Sequence, residues 1–69
     1  MCFWNLEAIQ ADLMLRSAKG LNTPAPEVQA AVNVLVNSGS PRTGMEQRLK
    51  LYKFTPSEAA AYVDAAYPT

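Results

Sequence analysis

The chain has 69 residues, six Lys and Arg against six Asp and Glu, no His and one cysteine. A chain this short buries only about 60% of its unfolded surface, so a disulfide, a metal or a partner chain commonly reinforces its core. Cys2 alone forms no intramolecular disulfide, and a chain without His or a second Cys lacks the usual zinc ligands. A partner chain is the remaining reinforcement.

Zero net charge argues against a polybasic membrane anchor and against strong non-specific nucleic-acid binding, which needs several uncompensated bases. No stretch approaches about 18 apolar residues, so no membrane span is expected. Glu7 and Asp12 stand where a signal peptide would be apolar, and a cytoplasmic location is expected.

The periodicity predicts an all-α fold, a small bundle of about four short helices at roughly 3–19, 27–37, 44–52 and 56–67. In the first, Leu6, Ile9 and Leu13 form an apolar stripe, with Ala8, Ala11, Leu15 and Ala18 beside it. Glu7, Asp12, Arg16 and Lys19 hold the remaining face, acids early and bases late as the helix dipole prefers. Asp12 and Arg16 stand four residues apart, the spacing of an intrahelical ion pair. Gly20 is the expected terminator.

Pro24 and Pro26 stiffen the connection that follows. Val28, Ala31, Val32 and Leu35 mark the second helix, although Val32 to Asn37 is β-branched and partly alternating and also suits a strand. Helix is preferred because Ala30 and Ala31 precede it and no partner strand is evident. Ser38-Gly39-Ser40-Pro41 reads as a turn. Thr43-Gly44-Met45-Glu46 reads as a capped start to the third helix, whose inward stripe is Met45, Leu49 and Tyr52.

Phe54-Thr55-Pro56-Ser57-Glu58 is a fuller start signal. Thr55 caps, Pro56 takes the first helical position, and Glu58 reaches back to the Thr55 N–H. Ala59, Tyr62, Val63 and Ala66 form the inward stripe of this fourth helix. Thr55 to Val63 is similar to the opening helix of excisionase-type winged domains. Leu51 to Ala60 resembles the first loop of ubiquitin-associated domains, with Lys53 where that family has glycine. Neither resemblance carries a functional residue onto this chain.

Chemistry is sparse. Without His, Ser–His and Cys–His arrangements are impossible within one chain. Gly20, Gly39 and Gly44 are isolated and form no phosphate-binding loop. No basic residue adjoins Cys2 to activate its thiol. No enzyme activity, metal or cofactor is expected.

Two surfaces stand out. Arg42, Arg48, Lys50 and Lys53, with Tyr52 among them, make a locally basic segment. With Trp4 and Tyr67 they are the expected partner contacts, since Trp, Tyr and Arg are favoured interface anchors. Phe3, Leu6, Ile9 and Leu13 are the expected dimerisation residues, because the first helix offers more apolar arc than one core face uses. The expected function is therefore a non-catalytic protein–protein interaction module. It would be a small inhibitor, regulator or adaptor that binds another protein and pairs as a homodimer, a profile common among phage and mobile-element accessory proteins. A dimeric helix-turn-helix-like DNA-binding regulator is the alternative, although the fourth helix offers no Arg, Lys, Asn or Gln to read bases. A small structural subunit of a virion or other large assembly is the third reading.

Overall fold

The computed structural model describes residues 5–67. Among them are four helices and no strand: α1 Leu6–Leu21, α2 Ala25–Asn37, α3 Arg42–Leu51 and α4 Pro56–Ala66. The expected small all-α bundle is the observed fold. Residues 32–37 are helical, which resolves the choice between helix and strand. No helix is long and apolar enough to cross a membrane.

The helix ends differ instructively from the sequence reading. α1 begins at Leu6 because the Asn5 side chain accepts from the Ala8 N–H at 2.8 Å. It runs through Gly20 and stops at Asn22, which takes the left-handed conformation at φ 52. Asparagine tolerates that region, and the Thr23 N–H then closes onto the Ala18 carbonyl at 2.9 Å. α2 starts at Ala25, two residues early, with Pro26 in its first turn.

Thr43 does not cap α3. The helix begins at Arg42, Pro41 occupies the cap position, and no side chain caps it. Pro41 is already extended and fits a helix entry, so the start moves upstream of Thr43 and Glu46 loses its capping role. Gly44 then lies inside the first turn, where an added Cβ would meet Pro41 Cγ at 3.3 Å.

α4 forms as the sequence reads. Thr55 accepts from the Glu58 N–H at 3.1 Å and Glu58 accepts from the Thr55 N–H at 2.9 Å. The preceding turn carries a less favourable choice: Lys53 has φ 79, so that the Phe54 N–H reaches the Leu49 carbonyl at 3.0 Å. Lys53→Gly is therefore expected to raise stability by about 0.5–1 kcal/mol in urea unfolding. A loss of stability would contradict that reading of the turn.

The helices surround one core in which Leu15, Val28, Val32, Leu35, Met45, Leu49 and Val63 are fully buried. α1 contributes Ala8, Ala11 and Ala18 around Leu15, and these small side chains let α2 pack closely. Three residues join α1 to α2, so the pair runs antiparallel. Phe54 is buried beside α4 and meets the Tyr62 ring edge-on at 5.8 Å between centroids.

Candidate interaction surface

The inward row of α1 is Ala8, Ala11, Asp12, Leu15 and Ala18. The helical period then places Leu6, Ile9 and Leu13 on the opposite side. They are 69%, 44% and 55% exposed. The apolar stripe and the alanine-rich row are thus two separate faces of one helix, and only the second enters the core. Phe3 and Trp4 lie outside the described residues.

Asp12 is not on a solvated face. It is 6% exposed and stands at the centre of a polar cluster between α1 and α3. One oxygen accepts from Arg48 Nη1 at 2.9 Å and from the Tyr52 hydroxyl at 2.8 Å. The other meets Arg16 Nε at 3.3 Å. Arg16 Nε also donates to the Tyr52 hydroxyl at 3.2 Å. That hydrogen bond, then the Coulombic pull of Tyr52 and of Asp12, holds the Arg16 pKa above its ordinary value. Every group of the cluster faces another, and its chemistry is cross-linking of helices. Sequence spacing finds the Asp12–Arg16 pair but not Arg48 and Tyr52, which arrive from 36 and 40 residues away.

The basic segment divides in three. Arg42 pairs with Asp64 at 2.6 Å, donates to the Tyr67 carbonyl at 3.2 Å and lies 5.0 Å from the Tyr67 ring centroid. Arg48 is bound to Asp12. Tyr52 belongs to the same cluster. Tyr67 is half-buried, and its hydroxyl donates to the Ser40 carbonyl. Lys50 and Lys53 are exposed and make no ion pair among the described residues, and Leu51 between them is 73% exposed. The structure therefore does not gather the sequence-selected residues into one patch: Arg42 and Tyr67 lock α3 to α4, Arg48 and Tyr52 lock α3 to α1, and Lys50 and Lys53 face solvent.

A fourth ion pair joins the ends of α1 and α4. Lys19 Nζ donates to both Glu58 oxygens at 2.8 and 2.9 Å and lies 5.2 Å from the Phe54 ring centroid. Glu58 thereby serves as cap and counter-ion together, and its pKa falls below the ordinary carboxylate value, first through Lys19 and then through the Thr55 N–H. A folded pKa below the unfolded one contributes stability above the unfolded value, lost as pH falls through the folded one. The difference in thermal midpoint between wild type and Glu58→Gln is expected to be present at neutral pH and to vanish below the carboxylate range. A difference that persists into strong acid would contradict this assignment.

Along the side of α1 next to α2 runs a groove of ≈ 370 Å³, lined by Ala11, Met14, Ala31 and Val34, with Glu7 and Glu27 among its lining residues. Sequence reasoning missed it, since a groove between two helices belongs to neither pattern alone. Among the described residues no three potential metal-ligating side chains come together. No protein-family model, curated protein or solved structure matches the chain.

Proposed function

We propose that this chain is a non-catalytic protein-interaction module, a small regulator or adaptor, and that it pairs with a second copy through the outward face of α1. The observation that carries the reading is the row Leu6, Ile9 and Leu13, three large aliphatic side chains exposed on one face while alanines from the same helix fill the core. Large apolar side chains grouped on a surface gain free energy by being covered. Asp12, Arg48, Tyr52, Lys19, Glu58, Arg42 and Asp64 are engaged in cross-links between helices, and this structural use of the charged groups adds support to the reading.

DNA binding draws less support. Arg42 and Arg48 are held in internal ion pairs, and Lys50 and Lys53 form too small a basic footprint for phosphate contacts to dominate.

Three aliphatic side chains cover less than the roughly 800 Å² per partner of a stable interface, so self-association is expected in the micromolar range or weaker. Sedimentation velocity over a dilution series tests this. A mass that rises from monomer to dimer with concentration supports the pairing, and a monomer up to about 1 mM removes it.

A further inference from the structure

We infer that the groove between α1 and α2 is the docking site for an amphipathic helix of a partner protein, one whose apolar stripe is flanked by lysine or arginine about two turns apart. The inference deepens the proposed function and rests on it, since it names the chemistry of the partner such a module would bind.

Three observations converge. The groove wall is apolar and low, built from Ala11 and Ala31 with Met14 and Val34 half-covered beside them. Small side chains let a third helix approach to an ordinary interaxial distance of about 8–10 Å. Glu7 and Glu27 each lie in the first turn of a helix, where the dipole favours an acid. Because α1 and α2 are antiparallel, those two first turns fall at opposite ends of the groove.

The dipole explains each acid singly, but not the absence of counter-ions. Asp12, Glu58 and Asp64 carry the ion pairs of the fold. Glu7, Glu27 and Glu46 meet no cation among the described residues, and of these three Glu7 and Glu27 line the groove. Glu7 and Met14 mark the length of the groove along α1, seven residues or about 10 Å apart. A helix presents residues i and i+7 at that same spacing on one face. An apolar floor with an unpaired carboxylate toward each end is thus complementary to a helix carrying aliphatic anchors between two bases.

The test uses the full chain and two designed peptides of about 18 residues, long enough to form a helix on docking. The first carries leucines at i, i+3 and i+7 with flanking lysines two turns apart. The second replaces those lysines by glutamates. The basic peptide is expected to bind and to shift the methyl resonances of Ala11, Met14, Ala31 and Val34. Glu7→Lys with Glu27→Lys should weaken it at least about tenfold and transfer the preference to the acidic peptide. Glu7→Gln with Glu27→Gln, which disturbs the helix starts less, should give a smaller loss in the same direction.

Four results overturn the inference: no binding of either peptide, equal binding of both, a footprint on Leu6, Ile9 and Leu13 instead, or groove shifts that follow protein concentration without peptide. The last would make a second copy the occupant, with its exposed Leu51 between Lys50 and Lys53 as the inserted segment. Sedimentation reads the α1 pairing independently, so failure of the groove and failure of the proposed function remain separate outcomes.

Discussion

Asp12→Ala is expected to remove about half or more of the chain's stability and to lower its urea midpoint accordingly. The substitution removes the acceptor of two hydrogen bonds, at 2.9 and 2.8 Å, and the carboxylate that joins Arg16 to Arg48. Removing one partner from a fully buried ion pair costs about 3–5 kcal/mol. Here the side chains of Arg16 and Arg48 are 60% and 33% exposed and can rehydrate, which reduces the cost to about 2–3 kcal/mol. A domain of this size rarely has more than about 3–5 kcal/mol in total, so the loss removes about half of it or more. Asp12→Asn keeps an acceptor for Arg48 and Tyr52 and is expected to lose about half as much. Urea unfolding followed by far-ultraviolet circular dichroism measures both. An alanine variant within about 0.5 kcal/mol of wild type would show that the cluster contributes nothing to holding α3 against α1.

The second large effect concerns association and leaves the fold alone. Leu6→Glu with Leu13→Glu is expected to abolish self-association, a weakening of more than about a hundredfold, because pairing would bury four carboxylates without counter-ions. Both positions point away from the core, glutamate is a good helix former, and a carboxylate at Leu6 lies in the first turn, where the dipole favours it. Monomer stability should therefore change by no more than about 0.5 kcal/mol. The contrast is diagnostic: Leu15→Ala, on the inward face of the same helix, should instead cost about 2–5 kcal/mol. A double glutamate variant that still dimerises would move the interface elsewhere.

The difference between those faces marks the limit of what the sequence makes legible. Periodicity finds both apolar arcs of α1, but it does not decide which enters the core. Leu6, Ile9 and Leu13 are the larger side chains, yet the alanine row is inward, because small residues let α2 approach and Leu15 fills the space between. Caps follow a similar logic. The Thr55–Glu58 signal is realised because Pro56 favours a helix start one residue later. The equivalent Thr43–Glu46 signal is overridden by Pro41, whose extended conformation starts α3 earlier. Asp12 shows the other limit: its local partner Arg16 is visible at i, i+4, whereas its burial depends on Arg48 and Tyr52 from a distant helix. The basic segment loses its unity for the same reason, since two of its arginines are claimed by carboxylates on α1 and α4.

The most direct measurement of the interaction surface is a dilution series observed through side-chain methyl resonances. Pairing through the outward face of α1 predicts that the methyls of Leu6, Ile9 and Leu13 shift with protein concentration, while those of Leu35 and Leu49, fully buried in the core, stay fixed. Concentration-independent spectra up to about 1 mM, or shifts confined to other surfaces, would contradict it.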